Sequence, residues 1–302
     1  MIIPKESNKL AFYIRLIFCS LSICSPFLPL VYFSPHRIRL SKMLIDSHCH
    51  LNFNAFDEDR TQVIARAKTE GIVAFINPGT NLDDSRQVVA LTEEFPELYA
   101  AVGVHPNDAA TFDESALTQL RELAGHPNVV AIGEIGLDYY WDEAPRPVQR
   151  RVFEQQLALA REIGKPVIIH QRDSAADTMD VLRQWGARGD HPGLVLHSFS
   201  GDQAMAEEAI ALGFYIGLSG PVTFKNAREL PDIVASLPPE RLLVETDAPF
   251  LSPDPFRGKR NEPARVKLIA ERVADLQNLT LAEMSRCLVE NTISLFKLPR
   301  MG

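Results

Sequence analysis

From Leu44 to Val244 short apolar runs alternate with longer segments of helical period, and this alternation constrains the fold more than any other feature of the chain. The runs begin at Leu44 and continue at 72–76, 99–102, 129–132, 166–169, 194–196, 214–217 and 242–244. Asp57 or Asp59 is placed to cap a first helix ending near Glu70, with Gly71 as its stop. Helical segments follow near 82–94, 114–124, 148–163, 174–185, 203–212 and 227–236, and two more close the chain near 262–276 and 281–295. A strand that returns through a helix re-enters its sheet in the same direction, so the sheet is parallel. Eight such units in this length fit a closed (β/α)8, or TIM, barrel better than an open doubly wound sheet. No Gly-x-Gly-x-x-Gly follows the first run, which argues against a dinucleotide fold. An apolar share of 46% supports a sizeable core, and no Gly-, Ser- or Pro-rich linker interrupts residues 43–302, which read as one α/β domain.

In a barrel of this kind functional side chains gather where strands finish. The first run ends in Ile45-Asp46-Ser47-His48-Cys49-His50, and strand alternation places Asp46, His48 and His50 on one side. The later runs end at Asn77 in NPGT, His105 in GVHP, Glu134 in GEIGLDYY, His170 in KPVIIHQRDS, His197 in LHSFSG, Ser219 in GLSG and Asp247 in ETDAPFL. A lone histidine on an apolar face is usually a satisfied core residue. Ligand-type side chains at the ends of five strands point instead to a metal centre of His48, His50, Glu134, His170, His197 and Asp247. Six ligands exceed what one zinc ion takes, so two divalent ions sharing a carboxylate is the natural arithmetic, with Glu134 as the bridge. Cys19, Cys24, Cys49 and Cys287 have no paired spacing in the body of the chain, so neither a disulfide framework nor a cysteine zinc site is expected. His126 and His191 sit beside proline before strands begin, at the opposite barrel end, and read as structural.

The net charge of −8 is unevenly spread. Residues 1–42 carry six Lys/Arg (Lys5, Lys9, Arg15, Arg37, Arg39, Lys42) against Glu6, which leaves −13 for residues 43–302. Broad charge neutralisation of duplex DNA is excluded by that balance, so contact with nucleic acid would be local and metal-assisted. Residues 16–35 lack charge and are flanked by basic residues, as in a signal or membrane segment, but Pro26, Pro29 and Pro35 interrupt them. Three readings of residues 1–42 stay open: sequence upstream of a start at Met43, a signal or anchor, or another ordered role.

Residues 43–302 resemble the TatD family of metal-dependent hydrolases, within the broader amidohydrolase-type barrels. The motifs that carry the resemblance run in order: DSHCHL, GVHP, GEIGLDYY, KPVIIHQRD, HSFSG, SGPVTFKNA, ETDAPFL, RGKRNEP and NTISLF. Ser198 stands where the family often has Cys, and Arg265 where Tyr is frequent. The resemblance implies that His48, His50, Glu134 and Asp247 hold one ion, and that Glu134, His170 and His197 hold the other. Zinc, magnesium or manganese would suit these donors. Such ions bring a bridging water towards neutral pKa and offset charge on a phosphoryl oxygen, with Asp247 as proton acceptor. His105 and Arg172 are candidates for holding a phosphate oxygen, and Arg257, Lys259 and Arg260 for meeting a nucleic-acid backbone. Phe250, Phe256 and Tyr139 are placed to stack a base.

The implied activity is ester hydrolysis, foremost by a 3′-to-5′ DNA exonuclease acting on single-stranded ends in the cytoplasm. D-aminoacyl-tRNA deacylation uses the same donors, and a metal-dependent binding protein without turnover is the alternative from another class. No stable protein partner and no membrane association is expected.

Overall fold

β-Branched and aliphatic residues dominate the apolar runs, and a strand buried on both faces needs such side chains on both. In a computed structural model that describes residues 43–141, 143–187 and 189–300, the runs form eight strands. They are β1 (Leu44–Asp46), β2 (Ile72–Pro78), β3 (Leu98–Val102), β4 (Val129–Asp138), β5 (Val167–Arg172), β6 (Leu194–Leu196), β7 (Tyr215–Leu218) and β8 (Leu242–Val244). Each pairs in parallel with the next, in the order β1 to β8. The helices are α1 (Arg60–Thr69), α2 (Leu82–Glu94), α3 (Glu114–Ala124), α4 (Arg146–Ile163), α5 (Ala175–Gly186), α6 (Gln203–Ala211), α7 (Leu230–Ser236), α8 (Val266–Leu276) and α9 (Leu281–Phe296). The expectations for residues 1–42 lie outside the described residues. Among those described, no helix is long and apolar enough to cross a membrane.

Local chemistry sets most helix starts. Asn81, Asp113 and Asp202 each accept a hydrogen bond from the third residue of their helix, and Thr280 forms a reciprocal box with Glu283 ahead of α9. Asp59 occupies the cap position of α1 but makes no capping bond; its carboxylate is taken by Arg260 and Arg66. β4 runs six residues beyond the expected end at Ile132, so Glu134 lies inside a strand and not at its terminus.

Strand residues divide between two apolar layers. Leu44, Phe75, Val102, Val129, Ile169, Leu196, Leu218 and Val244 face the helices, whereas Ile45, Ile76, Ala101, Ala131, Ile168, Val195 and Leu243 share the barrel interior. Val289, Leu295 and Phe296 of α9, with Leu298, join the interior group and stopper one end. The barrel closes past the formal ends of β1 and β8. Ser47 N donates to Val244 O, Asp247 N to His48 O and His50 N to Ala248 O, at 3.1, 2.9 and 2.7 Å.

Candidate metal centre

Interior parity explains how the strands deliver their polar residues. Ile168 and His170 lie two apart, as do Val195 and His197, so each histidine follows an interior alkyl group onto the same face one step nearer the mouth. In β4 the register slips between Ile132 and Ile135, which puts Ile135 and Leu137 against the helices and Glu134 and Asp138 inside. β1 departs from the expected pattern. Ile45 is interior, so Asp46 is not, and His48 and His50 reach the centre only because regular strand ends at Asp46. Asp46 does not join the histidines: its carboxylate accepts from Thr246 N at 2.9 Å and Thr246 Oγ1 at 2.5 Å, tying β1 to the end of β8. Complete burial drives its pKa up to about 8, against the pull of the Thr246 hydrogen bonds.

Four side chains meet at one point. His48 Nε2 lies 3.1 Å from His50 Nε2, 3.4 Å from Glu134 Oε2 and 3.6 Å from Asp247 Oδ1. His50 Nε2 lies 3.6 and 3.5 Å from the same two carboxylate oxygens. The edge of a tetrahedron of N and O donors around a zinc-sized ion is about 3.3–3.4 Å, so these separations fit a cation at the centre. The donor set fits as well, because both Nε2 atoms turn to the common point beside two carboxylate oxygens; the Nδ1 atoms, on the far side of each ring, are buried without a hydrogen-bond partner. Packing holds these rings: His48 stacks on His197 at 4.0 Å and His50 on Phe53 at 4.6 Å.

The other oxygen of Glu134 addresses a second group. Oε1 lies 2.8 Å from His170 Nδ1 and 2.9 Å from His197 Nε2. Burial alone would raise the Glu134 carboxyl, but His197, His48 and the hydrogen bonds from His170 and His197 hold it well below the usual range. For His197 burial opposes the proton, and Glu134 with Glu245 more than reverses that. Asp247 is likewise kept ionised, His50, His197 and His48 outweighing its burial.

Two carboxylates escaped the sequence reading. Asp138 Oδ2 lies 3.0 Å from His170 Nε2, and its Oδ1 accepts from the backbone N–H groups of Tyr140 and Trp141 at 2.9 and 3.1 Å. Glu245 Oε1 faces His197 Nδ1 at 3.3 Å, outside hydrogen-bond alignment, and accepts from Ser198 N, while its Oε2 receives Ser47 Oγ at 3.4 Å. Gly217 makes room for it, since a Cβ there would come within 2.8 Å of Glu245 Oε2. A same-face signal was present for both: Asp138 is four residues from Glu134 and Glu245 two from Asp247.

His105 caps a short 3-10 turn by accepting Asn107 N at Nδ1, 3.2 Å away. The proton therefore sits on Nε2, which lies 3.8 Å from Glu134 Oε1. Burial, then His170, pushes its pKa down to about 3, leaving a neutral ring that donates towards the centre. Arg172 lies over the Tyr140 ring at 3.9 Å. The basic loop after β8 differs from expectation: Arg260 forms a two-point pair with Asp59 at 2.8 and 2.7 Å and is not free for a substrate phosphate. Arg257 bonds Asn226 and covers Phe224, and Lys259 lies 5.8 Å from the Phe256 ring; neither has a carboxylate partner among the described residues. Arg265 braces this loop through Arg260 O and the face of Phe256, so Phe256 is packing, as is Tyr139 beneath Arg146. Asn77 holds Leu51 N and Asn52, Ser219 bonds Ser198, and His126 and His191 contact Glu93 and Leu212 O away from the centre.

Residues 45–297 match the profile of TatD related DNase. The chain belongs to the TatD family. The uncharacterized metal-dependent hydrolase YabD of Bacillus subtilis is 43% identical over 256 residues, spanning 85% of this chain and all of that one. The 3′-5′ ssDNA/RNA exonuclease TatD of Edwardsiella piscicida is 37% identical over 261 residues, 84% of this chain and all of that one. The crystal structure of YjjV, a TatD homologue from Escherichia coli K12, superposes with a TM-score of 0.80 at 33% identity, covering 87% of this chain and 100% of that one. The TatD barrel described above is therefore that of a metal-dependent hydrolase, and its buried His, Asp and Glu groups can hold metal.

Proposed function

We propose that this TatD-family chain is a phosphodiesterase that removes nucleotides from single-stranded DNA ends with two divalent ions. The observation that carries the reading is the split of Glu134, one oxygen turned to His48 and His50 and the other to His170 and His197. A carboxylate placed between two donor sets suits two cations sharing it. His48, His50, Glu134 and Asp247 would hold one, and Glu134, His170 and His197 the other. Bound there, the ions would supply a low-pKa water at neutral pH and offset charge on the phosphoryl oxygen.

The chain's own groups do the rest. Asp247 Oδ1 faces the two imidazoles, and Oδ2, without a hydrogen bond among the described residues, is the atom that takes a proton and returns it to the leaving oxygen. His105 Nε2–H donates to a non-bridging phosphoryl oxygen as a neutral group, so it adds orientation without another charge. Lys259 and Arg257 meet flanking phosphates, a role that Arg260 leaves to them. The exonuclease direction is supported by the name of the Edwardsiella relative alone. A cytoplasmic setting accords with the free thiols of Cys49 and Cys287.

The test is to supply purified full-length protein with Mg2+, Mn2+ or Zn2+ and assay single-stranded DNA and D-aminoacyl-tRNA side by side. Release of mononucleotides from the 3′ end is the expected result. Cleavage of the aminoacyl ester without any attack on DNA would replace this reading.

A further inference from the structure

Among the described residues three large apolar side chains are exposed, Tyr140 (55%), Trp141 (56%) and Phe250 (53%), and all three stand at the mouth of the barrel. Tyr140 and Trp141 follow β4, and Phe250 follows β8, on the far side of the strand order. Among the described residues burial elsewhere is efficient, and aromatic faces left in water around the centre alone ask for a flat ligand. Their placement is not slack. Asp138 Oδ1 fastens the N–H groups of Tyr140 and Trp141, and Gln149 Nε2 ties Asp138 O and Ala144 O at 2.9 Å each. The same Asp138 holds His170 through its other oxygen, so the aromatic turn and one edge of the centre share a single support.

Arg172 completes the surface. Its guanidinium lies 3.9 Å from the Tyr140 centroid and 5.6 Å from that of Trp141, with no carboxylate partner among the described residues. A planar cation beside exposed aromatic faces suits a ligand that is itself planar and anionic. Across the mouth the Phe250 ring lies 6.4 Å from His50 and 6.1 Å from Phe53.

We infer that Tyr140 and Trp141, with Arg172, form a stacking platform for an unpaired nucleobase next to the phosphodiester at the centre, and that Phe250 receives the neighbouring base. The inference rests on the phosphodiesterase reading and deepens it by assigning what recognises the substrate's bases. A balance of −13 over residues 43–302 gives little general attraction for a polyanion, so grip must come from the π-faces of the bases. Bases in a duplex have those faces covered by their neighbours, and the platform therefore selects single strands without reading sequence.

The test compares two substrates of equal length, an oligothymidylate and an abasic deoxyribose-phosphate chain, on wild-type protein and on Trp141→Ala and Tyr140→Ala. Wild type is expected to prefer the base-bearing chain in kcat/KM, and each variant to lose about tenfold of that preference. Independently, in the presence of EDTA, oligothymidylate should quench Trp141 emission in wild type, the buried Trp185 serving as the unquenched reference. Equal loss on both substrates, or no quenching, overturns the platform. If wild type cleaves both chains equally well, the phosphodiesterase reading stands and the platform falls; if it cleaves neither, the reading itself falls and takes the platform with it. Dissociation of an oligomer in sedimentation of the Tyr140→Ala/Trp141→Ala protein would make the patch a protein interface and overturn the inference.

Discussion

The two banks of the barrel mouth hold their histidines by different means. On the β1 and β8 bank His48 and His50 have no acidic group behind them, their Nδ1 atoms are unpartnered, and ring packing against His197 and Phe53 sets their orientation. On the bank from β4 to β6, His170 Nε2 is held by Asp138, whereas His197 Nδ1, like those of His48 and His50, makes no aligned hydrogen bond but has the Glu245 carboxylate 3.3 Å away. A carboxylate behind an imidazole fixes its tautomer and makes it a stronger donor, whereas packing fixes only its position. The contrast teaches that the two halves of this centre should differ in affinity and in what loosens them.

Glu134 is common to both banks, so Glu134→Gln should erase the contrast by disabling each, lowering turnover by about a thousandfold or more while the circular dichroism stays native. Near-normal turnover with full metal content would break the shared-carboxylate arrangement. Asp138→Asn separates the banks. Its amide oxygen still serves the Tyr140 and Trp141 N–H groups, but its NH2 donates to His170 Nε2 and drives the ring proton onto Nδ1, facing Glu134. One ion should then bind about 10- to 100-fold more weakly and the other unchanged, as read by chelator-competition titration; equal weakening of both contradicts the distinction. Phe53→Ala tests the packed bank, where losing one stacked ring should weaken the ion at His50 by only about two- to tenfold.

Smaller effects belong to the loop beyond β8. Lys259→Ala should flatten the salt dependence of single-stranded DNA binding by about 0.7 of a unit with metal content unaltered; an unchanged slope removes Lys259 from the substrate path. Arg260 contributes to the fold instead. Its hydrogen bonds pull the Asp59 carboxyl down to about 2, below its value in the unfolded chain. A depressed folded-state pKa means stability present near neutrality and lost as pH falls from about 4 through 2. Asp59→Asn should thus melt slightly lower than wild type at pH 7, and the gap should narrow steadily from about pH 4 down through pH 2; a gap as large at pH 2 as at pH 7 places the effect elsewhere.

Much of this was legible in the sequence because it depends on local order. Strand runs, their helical returns and the polar residues that end them are readable along one chain, and the bounds of α2, α3, β6 and β8 agree with the expectation to the residue. What was not legible depends on neighbours across strands. Asp138 gains its role from the histidine that β5 sets beside it, and Glu245 by reaching past Gly217 of β7 to His197; spacing shows only that each shares a face with a ligand, not which histidine it meets. Asp46 was misassigned because parity was carried past the end of β1, and Arg260 because a cation in a loop does not announce a carboxylate 201 residues away. The plug by α9 hid for the same reason, its apolar face resembling that of any outer helix.

The seam between β1 and β8 has a temporal meaning. Asp46 and Thr246 are 200 residues apart, whereas Glu134 and His170 are 36 apart. During synthesis the His48 and His50 pair leaves the ribosome about 10–40 s before Asp247 exists to face it. The β4 and β5 half can form early, but the seam cannot, and the centre is completed only when nearly the whole chain has been made.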